Sequence, residues 1–187
     1  VKRHGFEPNT LFLCTADQGP EWPHCKWTCY DTGLRVPLLA RWPGVVRPGT
    51  TCDALISFVD VAPTFVDVAG GKPIADLDGR SFKEVLTGKA KTFNKAVFAS
   101  HTGDGEMNQC PQRCVRDERW KLIMYTQVNK VQLFDLRNDP AERKDLAADK
   151  LHQAQVKRLI ALLEDWQTQL GDSQPSQSEK PQPLEFD

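Results

Sequence analysis

The fold is decided by one stretch near the start of the chain, Thr10-Leu11-Phe12-Leu13-Cys14-Thr15-Ala16-Asp17-Gln18-Gly19. Its apolar run, residues 11–14, is too short for a helix and lacks helical spacing, so it predicts a fully buried β-strand. Reactive groups of open α/β sheets lie just beyond the carboxyl ends of the strands. Asp17 and Gln18 are therefore candidate ligands of a hard divalent cation such as calcium, which prefers oxygen donors. A plain Asp-Gln-Gly turn explains the same residues without a metal.

Composition and charge exclude several classes of protein. The 187 residues carry a net charge of −1 and are 40% hydrophobic, as in an ordinary globular protein. A near-neutral chain lacks the basic face that nucleic-acid binding needs, so no nucleic-acid partner is predicted. No apolar run approaches the ~18 residues of a membrane-spanning helix. The chain does not start with Met and shows no signal-peptide pattern, which predicts a segment of something longer.

Three further segments resemble the type I sulfatases, a family of the alkaline-phosphatase-like superfamily. The first is Lys26-Trp27-Thr28-Cys29-Tyr30-Asp31-Thr32-Gly33-Leu34-Arg35-Val36-Pro37, which has every fixed position of a sulfatase motif and is followed by Arg41-Trp42-Pro43-Gly44. The second is a predicted helix over residues 60–69 with the turn Asp78-Gly79-Arg80-Ser81 after it. The third covers residues 119–149. Within the family, the C-terminal half resembles the N-sulfoglucosamine sulfohydrolases.

The resemblance implies an α/β fold. Residues 1–90 would form the end of an alkaline-phosphatase-like sheet in the catalytic domain. Residues 91–171 would form a small C-terminal α+β subdomain, an antiparallel sheet with a terminal helix over residues 150–170. The apolar stripe of that helix is expected to pack on the small sheet, with partner binding as the alternative. Residues 172–187 are rich in Pro, Gln, Ser and charge, which predicts disorder.

The resemblance also implies roles for site residues. The lysine of the sulfatase motif contacts the substrate sulfate, so Lys26 is expected to bind sulfate and to act in catalysis by neutralising charge on the leaving oxygen. Asp17 and Gln18 would be half of the ligand set of one calcium ion, with the remaining ligands outside this chain. Without the motif, Lys26 would be an ordinary surface lysine.

Two histidines are further candidates for substrate contact. His24 lies in the short loop before Lys26, and His101 opens a polar loop that also holds Asp104 and Glu106. Loops on rigid scaffolds often carry specificity, although either histidine is equally explained as a solvated loop residue. Asp60 looks catalytic, but capping of the following helix is the simpler interpretation.

The sulfatase nucleophile is a Cys or Ser in the pattern Cys/Ser-x-Pro/Ala-x-Arg, which is modified to formylglycine. The chain has no such pattern, and Ser173-Gln174-Pro175-Ser176-Gln177, which comes nearest, lacks the arginine. We therefore expect a C-terminal fragment, inactive alone, of an enzyme that hydrolyses sulfate esters or N-sulfates of small molecules or glycans. The rest of the sulfatase chain would be its partner. The family is usually exported, which implies a periplasmic, secreted or lysosomal protein.

Two alternatives stay open. A phosphatase or phosphodiesterase of the same superfamily would bind two zinc ions through Asp-His pairs, and Gln18 favours a single calcium instead. A non-catalytic remnant or binding module would use the terminal helix to bind a partner.

The six cysteines have no zinc-finger spacing. Cys14 and Cys29 lie in apolar or strand-like settings and are predicted to be thiols. Cys110 and Cys114 flank a short segment and are the better candidates for a disulfide, with a metal half-site or two thiols as alternatives.

Overall fold

The structure is a computed structural model that describes residues 1–103 and 110–182. Within those residues the strands are β1 (Phe12–Thr15), β2 (Leu38–Arg41), β3 (Val97–His101), β4 (Gln112–Arg116), β5 (Trp120–Tyr125) and β6 (Lys130–Asp135). The α-helices are α1 (Asp31–Leu34), α2 (Val61–Val68), α3 (Lys83–Leu86) and α4 (Gln153–Leu170). Contacts divide the chain into a β1–β2 unit, Val1–Ala16 with Pro37–Val97, and a four-stranded unit, Asp17–Val36 with Phe98–Asp187.

The β1–β2 unit contains a two-stranded antiparallel sheet in which Phe12 lies opposite Arg41 and Thr15 opposite Leu38. β1 occurs where the sequence predicts a strand, and β2 lies within residues 36–41, an apolar run with a proline at its start that likewise predicts a buried strand. The prediction that they are fully buried is wrong, because the side chains of Phe12 and Leu39 are 55% and 64% exposed. Each strand has a single neighbouring strand, and nothing in the described chain covers these two side chains.

Asp60 organises the start of α2. Its carboxylate is buried, and it accepts hydrogen bonds from the backbone N–H of Ser57 at 2.8 Å and of Arg80 at 3.1 Å. The side-chain amide of Asn94 donates to the same carboxylate at 2.9 Å. Asp60 is therefore structural, as predicted, but it satisfies N–H groups upstream of and distant from α2 rather than those of the helix itself.

The four-stranded unit is built on a sheet of order β3-β4-β5-β6. The β4–β5 and β5–β6 pairs are antiparallel, with Gln112 opposite Tyr125 and Trp120 opposite Asp135. The core side chains of these strands are almost completely buried and include Val115, Leu122, Ile123, Leu133 and Phe134. This confirms the predicted antiparallel sheet.

Helix α4 covers the sheet, as the sequence predicts. It contacts β4 and β5 and buries Val156, Leu159 and Leu163. The indole of Trp166 stacks on the ring of Phe98, with centroids 4.9 Å apart. Gly171, in the left-handed conformation at φ 66°, ends the helix. No helix of residues 1–103 and 110–182 has the length and apolar character that crossing a membrane requires.

The segment after α4 makes polar contacts with the four-stranded sheet. Arg113 pairs with Asp172 at 2.6 Å, the backbone N–H of Ser178 donates to Asn129 at 2.7 Å, and Gln182 N–H donates to the Gln127 carbonyl at 2.9 Å. These hydrogen bonds belong to the part of the predicted disordered tail that the structure describes. Residues 183–187 lie outside it.

Cys14, Cys25, Cys29, Cys52 and Cys114 are free thiols. This confirms the prediction for Cys14 and Cys29 and shows that a Cys110–Cys114 disulfide is wrong. β4 begins at Gln112, and an extended chain advances ~3.3 Å per residue, which carries Cys114 away from Cys110. Cys114 instead lies in the buried core cluster that also contains Cys29.

Candidate functional site

The candidate metal ligands lie just after β1, at the start of a segment, residues 17–26, that we call the site loop. Asp17 is exposed and Gln18 is half-buried. Among residues 1–103 and 110–182 neither side chain has a hydrogen-bond or ion-pair partner. Their oxygens are therefore available, and a carboxylate with an amide oxygen fits a hard cation such as calcium.

These two donors do not form a complete metal site. A calcium ion takes six to eight oxygen ligands. The described part of the chain has no group of three or more His, Cys, Asp or Glu side chains that could hold a metal ion. The metal role of Asp17 and Gln18, as half of a ligand set, stays a prediction.

Helix α1 supports both ends of the site loop. At one end, the N–H of Gly19 donates to the carbonyl of Gly33 at 2.9 Å. A Cβ on Gly19 would lie 1.8 Å from the carbonyl oxygen of Thr32, and a Cβ on Gly33 would lie 2.2 Å from that of Cys25. At the other end, the Thr32 hydroxyl donates to the carbonyl of His24. At both places the backbone of α1 lies against the backbone of the site loop. A side chain would clash there, so only glycine fits at Gly19 and Gly33.

Lys26 lies at the far end of the site loop. Its backbone N–H donates to the carbonyl of Pro20 at 3.1 Å, which returns the loop to a point just after Gln18. Its ammonium group pairs with Glu21 at 2.6 Å and lies 4.4 Å from the centroid of the Trp27 ring. Within the described ranges no hydrogen bond or ion pair joins Lys26 to Asp17 or Gln18. The role of Lys26 in binding sulfate stays a prediction.

The two candidate histidines have local partners. His24 is exposed in the left-handed conformation at φ 61°, and its ring meets that of Tyr30 edge-on at 5.3 Å. His101 ends β3, is half-buried, and its carbonyl accepts a hydrogen bond from Arg113 at 3.2 Å. Their substrate contacts stay predictions. Asp104 and Glu106 of the adjoining loop lie outside the described residues.

A buried ionic cluster anchors α1 to the sheet. The Lys121 side chain on β5 is fully buried, and its ammonium group lies 2.9 Å from Asp31 Oδ1 and 2.9 Å from Glu142 Oε1. The backbone N–H of Asp31 donates to Glu142 Oε2 at 2.6 Å. We call these three residues the Lys121 network. A lost partner would leave a buried charge uncompensated, which is costly.

Arg116 also faces Asp31. Its guanidinium nitrogen Nη2 lies 3.7 Å from Asp31 Oδ2. Two cations, from β4 and β5, therefore surround the first residue of α1, and the side chain of Asp31 is 11% exposed.

Neutral hydrogen bonds join the sulfatase-like motif to the same sheet. Gln112 accepts from the Cys29 N–H at 3.0 Å, and Gln132 accepts from the hydroxyls of Tyr30 and Tyr125, each at 2.8 Å. Burial, followed by the nearby Tyr30, raises the pKa of Tyr125, so its hydroxyl stays protonated. A hydrogen bond with Cys114 and burial raise the pKa of Cys29. The hydrogen bonds that attach Cys29 and Tyr30 to the sheet are therefore between uncharged groups.

Sequence reasoning did not assign the Lys121 network. Asp31 lies inside the sulfatase-like motif, but the motif alone assigns it no partner. Lys121 carried a signal, because it stands between Trp120 and Leu122 in an apolar strand, where a charge needs a buried partner. Glu142 carried no such signal, because it lies in a polar segment after β6. Its backbone adopts the left-handed conformation at φ 52°.

Comparisons with known proteins give matches over most of the chain. A family model described as N-sulphoglucosamine sulphohydrolase, C-terminal, matches residues 21–169. An ulvan-active sulfatase of Formosa agariphila is 34% identical over 88% of this chain and 38% of its own length. A solved structure of a protein in complex with its substrate D-glucosamine-2-N,6-O-disulfate matches with a TM-score of 0.84 and 29% identity, over 95% of this chain and 38% of that one.

The superfamily extends beyond sulfatases. A phosphonate monoester hydrolase from Silicibacter pomeroyi matches with a TM-score of 0.72 and 26% identity, over 90% of this chain and 36% of its own. In each of these relatives the chain spans well under half of the other protein's length.

Proposed function

Because the chain belongs to the N-sulphoglucosamine sulphohydrolase C-terminal family of the type I sulfatases, we propose that the full-length protein hydrolyses sulfate groups of a sulfated glycan. One relative is named for its action on ulvan, and a structural neighbour has a disulfated glucosamine as substrate. Since the chain covers 38% of each of them, the activity is proposed for the full-length protein.

The observation that carries the proposal is the arrangement of the site loop. The unpaired oxygens of Asp17 and Gln18 lie at one end and the Lys26 ammonium at the other, and α1 holds both ends. Asp17 and Gln18 would bind calcium together with ligands outside this chain. When bound, the ion would polarise the sulfate oxygens.

Lys26 would supply positive charge to the sulfate. Its ammonium group is paired with Glu21, whose side chain is 71% exposed and can turn into solvent. A sulfate oxygen would take the place of the Glu21 carboxylate on Lys26. The ammonium group would then neutralise negative charge that develops on the leaving oxygen. The formylglycine nucleophile is proposed to lie in the part of the full-length protein outside this chain.

The test uses the full-length protein. Asp17→Ala and Lys26→Met should each lower kcat/KM for a sulfated monosaccharide by about 10²–10³-fold, the size expected when one charge-stabilising group is lost. Calcium should raise the Tm of the wild type and not of Asp17→Ala, because a ligand stabilises the folded state that binds it. Lys89→Met is the matched control, since Lys89 is exposed and belongs to the β1–β2 unit, whereas the site loop belongs to the four-stranded unit.

Wild-type sulfate release by Asp17→Ala would contradict the proposal. The isolated 187-residue chain is a further control and should release no sulfate from an aryl sulfate, because it holds no nucleophile motif.

A phosphoester or phosphonate hydrolase is the second candidate, favoured by the match to a phosphonate monoester hydrolase. Gln18, where zinc-dependent relatives would use histidine, favours calcium and sulfate. Parallel assays of sulfate, phosphate and phosphonate esters separate the candidates by their kcat/KM ratios.

A non-catalytic binding module has less support. Its proposed contact surface was the apolar stripe of α4, and that stripe packs on β4 and β5 within the chain. The upstream coding sequence decides between the two classes, because a sulfatase requires the Cys/Ser-x-Pro/Ala-x-Arg motif there.

A further inference from the structure

We propose that the Lys121 network is a positioning device that sets the geometry of the site loop for catalysis. The proposal rests on the proposed sulfatase function and adds to it three residues that pair with one another and are not among the candidate metal or sulfate ligands. It concerns how the distance between the metal-binding end and the sulfate-binding end of the loop is maintained.

The argument starts from α1, which touches the loop at both ends. Gly33 accepts the hydrogen bond from Gly19, next to the metal-binding pair. The same Gly33 packs against the carbonyl of Cys25, next to Lys26. A displacement of α1 therefore moves both ends of the loop.

Helix α1 cannot hold this place alone. It has four residues, Asp31–Leu34, and so short a helix is unstable without tertiary contacts. Its first residue is the one that the network binds. Lys121 holds the Asp31 carboxylate, and Glu142 holds the Asp31 backbone N–H.

The other side of the network is rigid. Lys121 lies on β5, which pairs with β4 on one side and β6 on the other. The neighbouring core residues Leu122 and Ile123 are completely buried. A continuous set of contacts therefore runs from the central strand through Lys121 and Asp31 to α1 and the site loop.

The functional consequence is a loss of alignment when the network is removed. A displacement of about 1 Å between reacting groups can cost about 10²-fold in rate. Substrate affinity depends less on that alignment, so the expected loss is in kcat rather than in KM.

The test variant neutralises the network in the full-length protein: Lys121→Met, Asp31→Asn and Glu142→Gln together. The fully buried Lys121 is neutralised together with both of its carboxylates, and Arg116, which loses its 3.7 Å contact with Asp31, is 22% exposed to solvent, so folding is retained more easily than after a single change. We expect kcat per folded molecule to fall by about 10–10²-fold, with KM changed by less than about threefold. Hydrogen exchange of peptides covering residues 17–26 should quicken, while peptides from α2 exchange as in the wild type.

Glu142→Gln is the milder variant, because it leaves the Lys121–Asp31 pair balanced in charge. It should lower kcat by about three- to tenfold in the same assay, and it keeps the test valid if the triple variant does not fold.

The matched control is a second ion pair of the four-stranded unit. Arg119, which precedes β5 and is 41% exposed, forms a bidentate pair at 3.0 and 2.7 Å with Asp135, the last residue of β6, and in the described residues no hydrogen bond or ion pair joins either side chain to α1. Arg119→Met with Asp135→Asn should lower Tm and leave kcat and the exchange of residues 17–26 unchanged.

The outcomes are separable. Lower stability with wild-type kcat and exchange in the network variants would overturn the positioning role. A wild-type protein without sulfatase activity would instead overturn the proposed function. In that case faster exchange of the site loop still supports the positioning of the loop, and unchanged exchange overturns it.

Discussion

The two sheets of this chain both contain apolar strands, but the apolar side chains of one sheet are exposed and those of the other are buried. The apolar residues of β1 and β2 include Phe12 and Leu39, whose side chains are 55% and 64% exposed. Those of β5 and β6 include Leu122 and Leu133, which are completely buried. Helix α4 packs on the four-stranded sheet, whereas nothing in the described chain covers Phe12 and Leu39 of the two-stranded sheet. Burial of a strand is therefore a property of what packs on it.

The same contrast explains how the site is held. The candidate metal ligands follow β1 in sequence. By its contacts, however, the segment Asp17–Val36 belongs to the four-stranded unit. The motif is attached there by Gln112, Gln132 and the Lys121 network. The well-packed unit thus supports the site loop, and the experiments below compare the two units directly.

The largest expected difference is in thiol reactivity. In the 187-residue chain, exposed Cys14 should react with an alkylating reagent at least ~10³-fold faster than Cys29 and Cys114, whose reaction requires opening of a core with several kcal/mol of stability. The raised pKa of Cys29 slows its reaction further, because the thiolate is the nucleophile. Mass spectrometry of labelled peptides measures the rates, and urea should equalise them. Equal native rates for Cys14 and Cys29 would contradict the burial described here.

The next effect is the cost of removing a leucine from each sheet. Leu122→Ala should lower the free energy of unfolding by about 2–5 kcal/mol, because it opens a cavity in a filled core. Leu39→Ala should change it by less than ~0.5 kcal/mol, because that side chain is already in water. Urea denaturation followed by tryptophan fluorescence measures both. A cost for Leu39→Ala equal to that for Leu122→Ala would show that β2 is covered.

The smallest effect is on the pH dependence of the stability of the four-stranded unit. A hydrogen bond from Arg119 lowers the pKa of Asp135 to about 2, below the ~3.9 of an unfolded chain. The unfolded state therefore takes up the proton first as the pH falls, and the stabilisation is lost between about pH 4 and about pH 2. Arg113 lowers the pKa of Asp172 to about 2 in the same way. Asp135→Asn should flatten the dependence of the urea midpoint on pH in that window, and an unchanged slope would exclude Asp135 as a source.

Much of the fold was predictable because its signals are local. The apolar stripe over residues 150–170 predicts the terminal helix, which the structure places at Gln153–Leu170, and the small antiparallel sheet is likewise predicted. The position of the site loop followed from a motif with close spacing. The exposure of Phe12 did not follow, because a run of apolar residues says nothing about whether a second layer covers it.

The site was only half predictable for the same reason. Asp17, Gln18 and Lys26 lie within one short segment and were chosen from residue chemistry and motif. The Lys121 network joins residues distant in sequence, from Asp31 to Glu142, and no local pattern links them. Their pairing exists because three separate segments bury charges in one place, where each charge needs the others.

Local signals predict the elements, the family and the candidate ligands, since periodicity, turn residues and motif spacing act over a few residues. The burial of particular strands, the protection of particular cysteines and the charges that hold α1 are not written in any local pattern. These depend on contacts between distant segments, and the free energy of such contacts exists only once the segments are packed together.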